Sequence, residues 1–290
     1  MTLPSAVDAA AVTLTGITRY PVKSCRREEL PSAVVERWGL AGDRRWMLID
    51  RDGVTFTARE CAALLLVVPT ITDEGLSLAA PGLEPLQVAR PEGGSLVDVE
   101  VWGSHFQALL AAADASDWFG RLTGEDVRLV YLDDPGSRAV NQARSEPGDT
   151  VSFADGYPAL LANEASLAAL NGWVAEGPRA GDGPLPMTRF RPNLVVSGAE
   201  AWAEDAWRRI RIGGTSFRVV KGCDRCVMTL VDPETTAKTK EPILSLSRHR
   251  RWDRKTWFAV NLIPDNPGDV VNVGDEVEVL EQVESREPQR

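Results

Sequence analysis

At 290 residues the chain can form one large domain or two ordinary ones, and its 43% hydrophobic content supplies a core for either. A formal net charge of −10 argues against a protein that works by neutralising nucleic-acid phosphates, because such binding draws on clustered Lys and Arg. No stretch approaches the roughly twenty apolar residues that cross a bilayer, and the start MTLPSAVDAAAVTL lacks a basic segment before an apolar run.

These features predict a soluble cytoplasmic protein with no membrane attachment. Four cysteines in a chain of this length are too sparse for a disulfide-stapled module, so reduced thiols are expected.

In chain order, short β-type runs dominate. VTLTGITRY (12–20), RWMLID (45–50), VTFTARE (54–60) and VRLVYL (127–132) occupy the first half. PNLVVSG, RRIRIGG, SFRVVKG, CVMTLVD, WFAVNLI and EVEVLEQV occupy the second. Several alternate apolar with polar, as strands with one face on a core do. Asp52-Gly53 reads as a hairpin turn rather than a calcium loop, because the later ligands of such a loop are missing.

Three helices are expected. Asp114 can cap ASDWFGRLTG, Asn163 can cap EASLAALNGWV, and EPILSLSRHR (241–250) groups Ile243, Leu244 and Leu246. Regular strand–helix alternation is absent, which disfavours a doubly wound sheet. The segment 133–150, DDPGSRAVNQARSEPGDT, has the composition of an exposed connection. The expected fold is therefore mostly β, in the α+β class: a β-barrel-like domain over 10–132, a linker, and a second β-barrel with a few helices over 151–285.

CDRC (223–226) sets two cysteines three apart. A structural zinc site needs four ligands, and the remaining candidates, Cys25, Cys61, His105 and His249, are scattered. A redox pair needs a helix N-terminus, whereas 227–231 favour a strand. Two inert buried thiols form a third reading. In a fourth, one thiolate binds a soft, redox-active metal from the loop at a strand end.

An anion-binding set bears on the choice. Lys23 and Ser24 follow the first strand, Arg44 and Arg45 precede another, and Arg189, Arg191 and Asn193 enter a third. Guanidinium forks at strand ends suit phosphate oxygens, although single surface Arg residues usually pair with nearby carboxylates.

CDRCVMTLVDPET followed by EPILSLSRHR resembles the C-terminal signature of MOSC-domain proteins, which bind the molybdenum cofactor. RFRPNLVVSG and FADGYPALLANEASLAALN are similar to earlier segments of that domain. GITRYPVKSCRREEL, GLAGDRRWMLID and GVTFTARE resemble the β-barrel domain that precedes it in the mitochondrial amidoxime-reducing component and YcbX-type proteins.

The resemblance spans nearly the whole chain. It implies molybdenum held by pterin dithiolene sulfurs and by the thiolate of Cys226, which makes Cys226 both metal ligand and catalytic residue, with Cys223 a neighbour. Lys23, Ser24, Arg44 and Arg191 would contact the pterin or its phosphate. Asp224, Arg225, Gly156, Tyr157 and Asn261 would add contacts, and Asn193 would brace the site.

With ligands from both halves, the cofactor would lie between the two domains. The implied reaction is reduction of N-hydroxylated compounds (amidoximes, hydroxylamines, N-hydroxylated bases). Because no cysteine follows Cys226, electrons would come from an external donor, a ferredoxin-like protein or flavin reductase. The basic run SRHRR reads as a solvated helix face or a dock for that donor. One rival is a carrier of the cofactor or of sulfur, without turnover. Another is an interaction module that keeps the fold alone.

Overall fold

In the computed structural model the described residues are 11–284 and 287–290. Most of the N-terminal stretch MTLPSAVDAAAVTL, and residue 285 at the expected domain end, lie outside them.

Strands dominate, with three α-helices among the described residues. The largest unit is a nine-stranded sheet. In spatial order it runs Glu28–Leu30, Thr13–Arg19, Leu194–Ser197, Ala159–Asn163, Lys255–Pro264, Thr215–Asp224, Trp207–Ile212 and Val277–Gln282, with Arg251–Trp252 paired to Lys255–Pro264.

This sheet crosses the segment 133–150. Thr13–Arg19 pairs with Leu194–Ser197 (Ile17 opposite Leu194), and in a separate three-stranded sheet Ser32–Glu36 pairs with Val270–Asn272. The reason is hydrophobic: Leu14, Ile17, Val35 and Leu40 complete one core with Leu161, Ile210, Phe217 and Leu262.

The rest of the first half builds its own layers. A five-stranded sheet orders Leu96–Val101, Ser104–Leu110, Arg128–Tyr131, Trp46–Ile49 and Thr55–Phe56, and a three-stranded one holds Val68–Ile71, Gly75–Ala80 and Leu83–Ala89. Between them lies a core of Leu48, Leu64, Leu76, Trp118 and Phe119, which also takes in Val231 from the second half.

Several local readings are corrected. The segment 133–150 is not simply exposed: Arg138 and Val140 are buried, and Arg138 donates to the carbonyls of Ser152 and Ala154. Asp114 lies inside the first turn of helix Ala113–Thr123, whose N-cap is Ala112. VTFTARE is strand only at Thr55–Phe56. The apolar run after Cys226 is a 3-10 turn, Val227–Leu230, because the N–H and hydroxyl of Thr229 both donate to the Cys226 carbonyl (3.2 and 2.9 Å). Arg250 of SRHRR is buried against Asp205, while Arg248 and His249 stay exposed.

Other readings match. The Asn163 side chain caps helix Glu164–Glu176, accepting from the Ala165 N–H at 3.0 Å. Helix Ile243–His249 forms. At Asp52-Gly53 the hairpin closes with Gly53 at φ 86° and the Asp50 carboxylate accepting from the Asp52 and Val54 N–H groups.

Candidate functional site

The longest strands, Thr215–Asp224 and Lys255–Pro264, are paired along most of their length, with bulges between Val219 and Lys221 and between Gly222 and Asp224. Asn261 fastens the bulged segment by donating to the carbonyls of Lys221 and Gly222 (3.3 and 3.2 Å). Just past this pairing the Arg225 N–H still donates to the Thr256 carbonyl (2.8 Å), and the 3-10 turn begins at Cys226. A rigid strand end therefore delivers an exposed thiol.

Cys226 opens onto a cleft of about 170 Å³ lined from both halves of the chain. Lys23, Ser24, Arg44 and Arg59 come from the first half; Asp155, Gly156, Tyr157, Arg189, Arg191, Asn193, Arg225 and Asn261 come from the second. Six cationic side chains (Lys23, Arg44, Arg59, Arg189, Arg191, Arg225) face one carboxylate, Asp155, in a chain whose net charge is −10. Such focusing of one sign marks an anion site.

Backbone strain is concentrated here. Ser24 (φ 70°), Arg44 (φ 47°) and Arg191 (φ 54°) all hold left-handed conformations. Each costs about 1–3 kcal/mol and persists only where its surroundings enforce it. For Arg44 and Arg191 the surroundings include Tyr20, buried and donating its hydroxyl to the Pro192 carbonyl, with both guanidinium carbons over its ring (4.3 and 4.1 Å). Arg44 is also held by Asp43 (2.6 Å) and by the Asn193 side-chain oxygen (3.3 Å). Burial lowers the Arg191 pKa from its ordinary value, although a guanidinium remains charged at any ordinary pH.

Lys23 is buried, donates to the Phe153 carbonyl (2.8 Å) and pairs with Asp155. Burial lowers its pKa from 10.5 to about 8, against the opposing pull of Asp155. Burial would raise the Asp155 carboxyl, but Lys23 and the Trp102 N–H outweigh it and hold the carboxyl well below the usual range. At the other end Arg225 donates to the Cys223 sulfur (2.8 Å) and the Phe190 carbonyl (2.8 Å). Burial raises the Cys223 thiol pKa against the opposing pull of Arg225.

Ten of the eleven residues expected from sequence line the cleft. Asp224 does not; its carboxylate turns to Lys221 (2.9 Å) and Lys255 (3.1 Å). Arg45 also turns away, to the Leu132 and Asp133 carbonyls.

Arg59 was not foreseen, and it lies 3.4 Å from the Cys226 sulfur. A capped turn in TARE places it: the Glu60 carboxylate accepts from both the N–H (2.8 Å) and the hydroxyl (2.7 Å) of Thr57, and this turn sets Arg59 beside the thiol. Asp155 was missed because a lone Asp in a loop carries no pattern.

The donor set suits an anionic group with a soft metal at one end. The Arg189 and Arg225 Nε atoms are buried without hydrogen-bond partners, and a Cβ added at Gly156 would meet nothing within 4 Å. Among the described residues no three His, Cys, Asp or Glu side chains gather as a metal-binding cluster, so Cys223 and Cys226 lack the further protein ligands of a structural zinc.

Comparison with known proteins gives the family of the chain. Residues 11–126 match the MOSC N-terminal beta barrel domain and residues 148–278 match the MOSC domain. Mitochondrial amidoxime-reducing component 1 of Mus musculus is 32% identical over 91% of this chain and 81% of its own. Molybdenum cofactor sulfurase of Danio rerio is 30% identical over 88% of this chain but 32% of its own. Among solved structures, the YUAD protein from Bacillus subtilis aligns over 92% of this chain and 94% of its own, at 14% identity and a TM-score of 0.41. The chain belongs to the MOSC family, with both the N-terminal beta barrel domain and the MOSC domain, alongside the mitochondrial amidoxime-reducing components.

Proposed function

We propose that the cleft holds a molybdenum cofactor and that the protein reduces N-hydroxylated compounds. One observation carries this reading: an exposed thiol, Cys226, stands at one end of a cleft whose walls present six cations. Lys23, Ser24, Arg44 and Arg191 would take the pterin phosphate, Gly156 leaves room for the ring, and Tyr157, Arg225 and Asn261 line the remainder. Cys226 would be the protein's sulfur ligand. When bound, the group would supply two-electron redox chemistry that side chains lack.

For an amidoxime, R–C(NH2)=N–OH, two electrons and two protons enter, the N–O bond breaks, and the amidine and one water leave. The electrons come from an external donor, a ferredoxin-like protein or a flavin reductase. Arg59, beside the Cys226 sulfur, would orient a substrate oxygen by donating a hydrogen bond. Asp155 stands between Lys23 and Arg59, pairing with Lys23 and lying 3.9 Å from the Arg59 guanidinium.

Among the described residues no helix is long and apolar enough to cross a membrane. Residence in the cytoplasm, free of membrane and nucleic acid, is part of the proposal.

A second reading, cofactor or sulfur carriage without turnover, draws on the match to the sulfurase. One experiment addresses both. Wild type and Cys226→Ser are purified from molybdate-replete cells, assayed for molybdenum and pterin, and offered benzamidoxime with reduced methyl viologen. The reductase reading expects molybdenum and turnover in wild type, with turnover lost by at least about a hundredfold in Cys226→Ser because a hard oxygen replaces the soft ligand. Molybdenum bound without turnover in wild type supports the carrier. Equal turnover in both proteins removes Cys226 from the site.

A further inference from the structure

Strands Leu96–Val101 and Ser104–Leu110 join through a two-residue turn, Trp102-Gly103, with φ of 51° and 82°. Positive φ at both central residues is the hairpin geometry that Asn-Gly or Asp-Gly fills without strain. A tryptophan there is strained, and burial does not compensate, since Trp102 remains 49% exposed.

The reason for the residue lies in what it touches. The indole N–H donates to the Asp155 carboxylate at 3.1 Å, the Arg59 guanidinium carbon sits 4.5 Å from the ring centroid, and Lys23 Nζ sits 5.8 Å from it. Arg59 in turn lies 3.4 Å from the Cys226 sulfur. The hairpin tip therefore holds a half-exposed indole at the rim of the cleft, fixed in orientation by a carboxylate and one guanidinium away from the thiol. An indole pinned at its N–H and still open to solvent is suited to stacking.

We propose that Trp102 is the substrate platform of the cleft, selecting flat, conjugated N-hydroxylated compounds such as arylamidoximes and N-hydroxylated bases over small ones such as hydroxylamine. This inference rests on the reductase reading. Arg59 would direct the N–OH group toward the sulfur end while the conjugated part lies on the indole. A small substrate would use Arg59 alone and gain nothing from Trp102.

The test compares holoenzyme carrying Trp102, Trp102→Asn or Trp102→Phe. It measures KM and kcat for benzamidoxime and for hydroxylamine with reduced methyl viologen, the calorimetric Kd for benzamidoxime in the oxidised enzyme, and the thermal midpoint. Asparagine suits the turn, so the midpoint should hold or rise. KM and Kd for benzamidoxime should rise about tenfold, the scale of a lost stacking contact, while hydroxylamine kinetics stay within about twofold. Phenylalanine should keep most of the preference.

Unchanged benzamidoxime KM and Kd in Trp102→Asn overturns the platform. So does an equal loss for both substrates, or a lowered midpoint, either of which marks a structural residue. If wild type reduces neither compound, the reductase reading fails, and the calorimetric arm alone then decides whether Trp102 binds the aryl group.

Discussion

Lys23 is a cation of the cleft whose charge is sensitive to ordinary changes of pH. Burial lowers its pKa from 10.5 to about 8. Below pH 8 the free protein presents the full cation set. Between about 8 and 10.5 Lys23 is neutral unless an anion draws the proton back, so anion binding becomes coupled to proton uptake. Sulfate affinity, followed by calorimetry from pH 6.5 to 9.5, should be level at the acid end and fall by up to about tenfold per pH unit above 8. Sulfate does not itself titrate in this range, and Lys23→Met should bind weakly with no break near pH 8. A break that survives in Lys23→Met would assign the titration to another group. Lys23, Arg44 and Arg191 were legible because short motifs at strand ends carry them. Arg59 and Asp155 were not, since their places depend on a capped turn and a loop whose directions become visible only when both halves meet.

Helix Glu164–Glu176 shows how an element's cap can depend on its packing. Asn163 is fully buried; its oxygen accepts from the Ala165 N–H, while its amide donates to Glu204 Oε2 at 3.1 Å and to the Glu200 carbonyl at 2.8 Å. At an exposed N-cap Asp and Asn are near equivalents. Here Asn163→Asp would set a second carboxylate against Glu204, whose pKa burial already raises. The shared proton is then held more tightly in the folded state than in the unfolded chain, so stability is lost as pH rises. Urea midpoints should show Asn163→Asp less stable than wild type by about 2–4 kcal/mol at pH 8 and by less at pH 5. An equal loss at both pH values would place the cost in packing instead.

This helix and its cap were readable because capping is local. The same locality misled at Val227–Leu230, where β-branched residues suggest a strand but the hydroxyl of Thr229 closes a turn on the Cys226 carbonyl. Strand Leu83–Ala89 escaped notice because Pro85 interrupts its alternation, and pairing with Gly75–Ala80 secures it.

At the scale of the molecule, the arrangement that creates the cleft also decides what can fold alone. The division near 133–150 is a feature of composition; the nine-stranded sheet takes Thr13–Arg19 between Glu28–Leu30 and Leu194–Ser197. No local pattern announces such a pairing, because it joins residues nearly two hundred positions apart. Its energetic weight is large. Leu14, Ile17, Val35 and Leu40 are buried in the core of the second half. Each contributes about 1.5–3 kcal/mol, so the four together approach the whole net stability of a typical domain, about 5–15 kcal/mol. A fragment spanning 133–290 would lose all four and leave Leu194–Ser197 as an unpaired edge beside an open core. It should show no cooperative urea transition and should self-associate, whereas co-expression with 11–132 should restore a single transition and sulfate binding together, since Lys23 and Arg44 return with the missing strand. A soluble 133–290 fragment with a cooperative transition of its own would show that the shared sheet contributes far less than its buried side chains imply.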